Sequence, residues 1–303
     1  MERDRDRQLE DAQAAVLAWY APDARARRVR WSKGETQLLE VGHGSPLFLV
    51  HGGLDNAFGW APLFSTLART HRVLAVDLPG HGLADPFDYT GVDLLDHAQT
   101  FLREVLDALE LPVVDIVGHS MGGLFSVAFA LDSPQRVSHM VLVGAPAGVK
   151  RPNAPLQLRL IGLPLVGQLL GRLLLSNPTR DSDRKFWGEV LVVHPENLSD
   201  EHLDADVASQ RRNSESHLSL LHCVLDAGGV RRRLMLGERW QMLKVPTVFL
   251  WGERDAFLPA TAGDAIAARN QNLHVVRIPD AGHVPWIDSP ERVLGEIERF
   301  LTA

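Results

Sequence analysis

Residues Ile116-Val117-Gly118-His119-Ser120-Met121-Gly122-Gly123 carry an apolar run straight into a Gly-x-Ser-x-Gly pattern. Between a strand and a helix, that pattern makes a turn so sharp that the serine takes strained backbone angles and its hydroxyl is pushed out. Gly118 and Gly122 leave room for neighbouring backbone that side chains would strike. A hydroxyl becomes a useful nucleophile only beside a base, itself held by a third group. Two downstream loops supply candidates. The run 247–251 leads into Gly252-Glu253-Arg254-Asp255, and the run 273–278 leads into Asp280-Ala281-Gly282-His283. Each places an acid or an imidazole just beyond an apolar stretch, so Ser120, His283 and Asp255 form a candidate nucleophile, base and orienting acid. Taken singly, Asp255 reads as a turn former and His283 as a surface histidine; their joint placement argues otherwise. Glu253, Asp264, Asp280 and Asp288 are rival acids and rank below Asp255.

Acyl chemistry at a serine also needs donors for the oxyanion. The Met121 N–H, at the start of the helix after the serine, is one candidate. The other is the Gly53 N–H, in the loop that opens from Phe48-Leu49-Val50-His51-Gly52-Gly53. The turn Asp77-Leu78-Pro79-Gly80-His81-Gly82 shapes a loop without supplying a paired base and is assigned no catalytic role.

Distant residues meet only if the elements between them form one sheet. Strand patterns fall at 27–31, 36–41, 46–50, 72–76, 113–117, 139–143, 247–251 and 273–278, and helical patterns at 9–20, 60–69, 94–109, 121–131, 261–269 and 290–301. Strands such as 47–50 are apolar without alternation, as in a parallel sheet covered on both faces. The first two are separated by only a few residues around Lys33 and Gly34, which predicts an antiparallel hairpin. About a hundred residues separate the sixth and seventh strand patterns, too many for a crossover. Pro152, Pro155, Pro164, Pro178 and Pro195 punctuate this stretch, which is expected to be several short helices forming a cap.

The chain has 303 residues, 45% of them hydrophobic and 23% charged, the balance of a folded globular protein. Its 31 Lys and Arg against 38 Asp and Glu give a net charge of -7, so nucleic acid is not an expected partner. The single cysteine, Cys223, rules out an intramolecular disulfide, and the charged start of the chain lacks the apolar run of a secretory signal. A cytoplasmic location is expected. The greasiest stretch, 161–175, is interrupted by Pro164, Gln168 and Arg172 and is too short to span a bilayer. No His-Glu-x-x-His, Gly-x-Gly-x-x-Gly or Gly-Lys-Ser/Thr pattern occurs, so neither a metal nor an organic cofactor is expected. His194, His202, His217 and His222 read as solvated or locally bonded, and the leucine-rich run 156–175 as the lining of an apolar pocket.

His51-Gly52-Gly53, Asp77 to Gly82, Gly118 to Gly123, Gly252 to Asp255 and Gly282-His283, in that order, resemble the α/β-hydrolase superfamily over nearly the whole chain. The resemblance implies a mostly parallel eight-stranded sheet with helices on both faces and a helical lid after the sixth strand. It sets the hydrolase core at 1–147 and 244–303 and the cap at 148–243. It disfavours the dehalogenases and epoxide hydrolases that carry an aspartate at the elbow, where this chain has Ser120. The expected activity is hydrolysis of small to medium, largely apolar carboxylic esters through an acyl-enzyme. Carbon-carbon hydrolases of ring-cleavage pathways, which act on vinylogous diketone acids, are the nearest alternative. A ligand receptor with a slow or single-turnover triad is the reading from another class.

Overall fold

The computed structural model describes residues 2–151, 171, 178–226 and 229–302. The expected apolar lining 156–175, the greasy stretch 161–175, and Pro152, Pro155 and Pro164 lie outside these residues, Gly171 excepted.

Eight strands build the main sheet: β1 (Arg25–Trp31), β2 (Gly34–Val41), β3 (Ser45–Val50), β4 (His71–Val76), β5 (Val114–His119), β6 (Val137–Val143), and, after a two-residue hairpin of β7 (Leu225–Asp226) and β8 (Gly229–Val230), β9 (Thr247–Gly252) and β10 (Leu273–Ile278). The spatial order is β1-β2-β4-β3-β5-β6-β9-β10. β2 runs antiparallel to both β1 and β4, and every other pairing is parallel. The α/β architecture and the hairpin at one edge are therefore those the sequence implies.

Both faces of the sheet are dry. Phe48 and Val50 of β3 join the buried cluster on one face while Leu47 and Leu49 join the other, and Leu74 and Val76 are opposed to Val73 and Ala75 in the same way on β4. Successive side chains point to opposite faces, so a strand covered by helices twice must be apolar throughout. Helices Leu94–Ala108 and Ser120–Asp132 cover the first face. Helices Glu2–Tyr20, Ala61–Leu67 and Pro290–Leu301 cover the second. Because β3, β5, β6, β9 and β10 are parallel, the loops after their carboxyl ends open at one rim.

Two local expectations need correction. The first helix begins at Glu2 rather than near residue 9; its opening turns are charged and carry no apolar stripe to mark them. Between β6 and β9 the chain does not form only short helices, because Asp200–Val224 is one uninterrupted helix of 25 residues. No proline occurs between Pro195 and Pro246 to break it. Ser199 caps its start by accepting from the His202 N–H. The N-terminal helix lies against this long helix, and Arg212 ties the contact by reaching Asp6 at 2.6 Å and the carbonyls of Gly82 and Ala84 at 2.9 Å. Among the described residues, no helix is long and apolar enough to cross a membrane.

Candidate active site

Ser120 is the first residue of the helix that follows β5, and its φ is +50°, in the left-handed region that residues with a Cβ rarely adopt. The close fit that imposes this turn is visible at Gly122, where a Cβ would come within 2.2 Å of the Val50 carbonyl oxygen. The elbow is thus pressed against the end of β3. Gly52, in the loop after β3, has the same relation to the elbow from the other side, since a Cβ there would lie 2.6 Å from His119 Nδ1.

Asp255 and His283 meet. His283 Nδ1 donates to Asp255 Oδ2 at 2.8 Å, with both side chains almost wholly withdrawn from solvent. Asp255 also accepts from the Ala145 N–H at 2.9 Å and the Phe257 N–H at 2.8 Å. Burial alone would raise this carboxyl, but the His283 ring and the backbone donors outweigh it and hold the group below the usual carboxylate value. The carboxylate fixes the ring tautomer, leaving the Nε2 lone pair for other work. Phe257 and His119 both pack on the ring, with centroids 4.4 and 4.8 Å from that of His283. His119 Nε2 donates to the His283 carbonyl at 3.1 Å, and burial keeps His119 far below its ordinary value and therefore neutral.

Ser120 and His283 line one cavity, with no hydrogen bond between their side chains. Such contacts are often long until substrate is bound. Gly53 and Met121 line the same cavity, and a Cβ on Gly53 would lie 2.7 Å from the Met121 methyl, so the two donor-bearing segments are neighbours.

The rival acids are engaged elsewhere. Asp264 pairs with Arg277, Asp280 pairs with His194 and Arg254, and Glu253 is exposed. Asp288 accepts from the N–H groups of Val193, His194 and Gly282, and so pins the loop that carries His283. Asp77 is a buried tie. It accepts from the N–H groups of Ala57 and Leu83 and from Gln37, and burial raises its carboxyl to about 6. His51 acts beside it, accepting the Leu78 N–H at 2.9 Å and donating to the Gly52 carbonyl at 2.7 Å. That role in shaping the Gly52-Gly53 loop cannot be read from the motif alone.

The family model of the alpha/beta hydrolase fold matches residues 45–290. The chain belongs to that family. A relative in Pseudomonas putida, named 2-hydroxy-6-oxononadienedioate/2-hydroxy-6-oxononatrienedioate hydrolase 2, is 31% identical over 87% of this chain and 91% of its own. Among solved structures, the carboxylesterase CesB of Bacillus subtilis superposes with a TM-score of 0.79 at 19% identity, covering 98% of each chain. The meta-cleavage product hydrolase CumD of Pseudomonas fluorescens IP01 superposes with a TM-score of 0.72 at 21% identity, covering 91% of this chain and 97% of its own. At such identities the structural likeness concerns the fold.

In this alpha/beta hydrolase the cavity beside Ser120 has a volume of about 660 Å³. Apolar side chains such as Leu124, Leu220, Leu221 and Val224 line it, and so do the carboxyls of Asp55, Asp183 and Asp206. No motif marks that acidic group, because its members lie on three separate elements. The cap histidines also differ from expectation. His194 is bonded to Glu196 and Asp280, but His202 and His217 are fully buried. Both ring nitrogens of His217, which lines the cavity, lack a partner among the described residues. Its ring packs on His81 at 4.7 Å, and burial together with the neighbouring His81 and His51 keeps it uncharged.

Proposed function

We propose that this hydrolase cleaves carboxylic esters of small to medium, largely apolar substrates through an acyl-enzyme, with 148–243 acting as the lid that shapes the pocket. The observation that supports this most directly is the buried 2.8 Å contact from His283 Nδ1 to Asp255, beside a serine held at φ +50° on the same cavity wall. Ser120 Oγ attacks the ester carbonyl while His283 Nε2 takes its proton, and Asp255 stabilises the imidazolium that forms. The N–H groups of Gly53 and Met121 receive the charge on the carbonyl oxygen; one such donor contributes about 3–4 kcal/mol to a transition state. The imidazolium then protonates the leaving alkoxide. Water deprotonated by the same Nε2 attacks the acyl-enzyme and releases the acid. No step calls on a metal or organic cofactor.

A carbon-carbon hydrolase is the second reading, supported by the name of the Pseudomonas putida relative. That name describes a dioate, and a dianion needs cations. Among the described residues, the cavity wall holds one, Lys150, against Asp55, Asp183, Asp206 and Glu189. This balance favours an ester. Turnover of p-nitrophenyl esters across acyl lengths, measured beside a vinylogous diketone acid, tests the choice. Ester hydrolysis should dominate, with rate depending on acyl length. Folded protein that leaves every ester intact would defeat the reading, and faster cleavage of the diketone acid would install the second one.

A further inference from the structure

Asp183 sits in the first turn of the helix Arg180–Phe186, where Thr179 and Ser182 form a capping box. Its neighbours Asp181 and Arg184 face outward and are exposed or half-buried, whereas Asp183 is 3% exposed and lines the cavity. Asp206, on the helix Asp200–Val224, is also buried and lines the cavity beside it. The donors within reach are few. Gln210 Nε2 donates to Asp183 Oδ1 at 2.6 Å and to Asp206 Oδ2 at 3.3 Å, and the Trp187 indole N–H donates to Asp206 Oδ2 at 3.0 Å. Asp183 Oδ2 is buried with no N–H or hydroxyl donor among the described residues, and the side chain bonds to Asp206, which requires one of the two carboxyls to hold a proton. Asp55, just beyond the Gly53 loop, lines the same cavity and feels the charge of Asp206.

The local cations are committed elsewhere. Arg180 is held by Asp200 and Asp204, Arg184 by Asp200, and Lys185 by Glu189. Lys150, on the same cavity wall, forms no ion pair with these carboxyls, and burial raises Asp183 to about 9 and Asp55 to about 8, the charge of Asp206 adding to each. A fold that needed only hydrogen bonds here could use amides. Three carboxyls share one pocket with Ser120, and Asp183 and Asp55 hold protons only because no cation is beside them; such a set suits a ligand that brings N–H donors and positive charge together and takes the place of the Asp183 proton.

We propose that the ester this enzyme accepts carries a primary or secondary ammonium group, seated on Asp183 and Asp206 with Asp55 adding to the attraction. The inference rests on the ester reading for its chemistry, but the seat can be tested without turnover. A quaternary ammonium has no N–H to take the place of the proton that Asp183 holds, and an anionic ligand meets the charge of Asp206.

The first test is calorimetric titration of the wild-type protein with n-hexylammonium, hexan-1-ol and hexanoate. The ammonium should bind at least ~10-fold tighter than the alcohol, as a charge-assisted hydrogen bond allows, with hexanoate weakest. Asp183→Asn should erase that preference, and Asp206→Asn serves as a second probe should the first variant fold poorly. An alcohol that binds folded wild-type protein as tightly as the ammonium overturns the proposal. The kinetic test compares kcat/KM for the p-nitrophenyl esters of ε-aminocaproic and heptanoic acids. The amino ester should lead by ~10-fold or more and lose that lead in Asp183→Asn. A neutral ester turned over faster than the amino ester also overturns the proposal while leaving the ester reading intact. If neither ester is cleaved, the ester reading fails and the titration alone decides the seat.

Discussion

Asp255 and Asp183 are both withdrawn from solvent, yet their carboxyls are held in opposite states. Asp255 receives the His283 N–H and the backbone N–H groups of Ala145 and Phe257, and stays ionised. Asp183 receives a single amide donor, faces Asp206, and is raised to about 9. Burial acts in the same direction on both. What separates them is the number of donors and the sign of the nearest charge: an imidazole for one, a second carboxyl for the other. One carboxyl is held ionised by donors within the protein, and the other is neutralised by keeping a proton beside Asp206.

The largest effect that can break this comparison is expected at the serine the Asp255 site serves. Ser120→Ala should lower kcat on p-nitrophenyl esters by roughly 10⁵-fold or more, as loss of a triad serine does, with a melting temperature close to wild type. Retention of an appreciable rate would remove Ser120 from the chemistry. Asp255→Asn keeps the shape but offers the imidazole a group that can present the wrong hydrogen-bonding face, so kcat should fall by about 10⁴-fold. A loss of under tenfold would mean that the Asp255–His283 contact only supports the loop.

A smaller effect should distinguish the second carboxyl. Folded Asp183 keeps its proton up to about pH 9, whereas an unfolded aspartate loses it near pH 4. Between those values the folded state binds the extra proton, so stability is greatest below the unfolded value and declines as pH rises. The decline is up to about 1.4 kcal/mol per pH unit for one such proton. Asp55 works in the same direction, up to about 8. The buried, uncharged His119 and His217 act oppositely below their unfolded value near 6.5, so the fall in melting temperature should be read between about pH 7 and about pH 8. Asp183→Asn, which has no such proton to lose, should flatten the fall; an equally steep decline in the variant would contradict the assignment. The smallest effect belongs to Asp280, an exposed partner of His194 and Arg254. Asp280→Asn should change stability by no more than about 1 kcal/mol and leave kcat within about threefold, and a larger loss of kcat would reopen the ranking of acids around His283.

Much of the first site was legible in the sequence because its signals are local. An apolar strand followed by a glycine turn can be recognised at β5, β9 and β10 separately, and sheet topology then brings the three loops to one rim. The second site had no such signal. Asp55, Asp183 and Asp206 look like ordinary loop and helix carboxylates, and only three-dimensional contact makes them a group. The long helix was obscured for a related reason. Asp206, Ser209, Asn213, Ser216 and His217 are all buried in it beside Leu203, Leu220 and Leu221, so the inward face mixes polar with apolar residues and leaves no continuous apolar stripe to read. Ser209 and Asn213 bond to one another, and Asn213 reaches the Gly82 carbonyl. That accounts for two of those positions, but such bonds have no counterpart in a hydropathy pattern.

The first helix packs behind Asp200–Val224, the helix that carries Asp206 and Gln210, so on the proposed ammonium seat the opening segment of the chain would bear on selectivity. The long helix presents Asp206 and Gln210 to the cavity, while Arg212, less than one turn further on, grips Asp6 and the carbonyls of Gly82 and Ala84. Trimming the first twenty residues would release one of those grips and uncover the rear of the support on which the acidic wall is mounted. A shortened enzyme could then keep its chemistry and lose its choice among substrates, so directed-evolution libraries aimed at new substrates have reason to include positions in that opening helix.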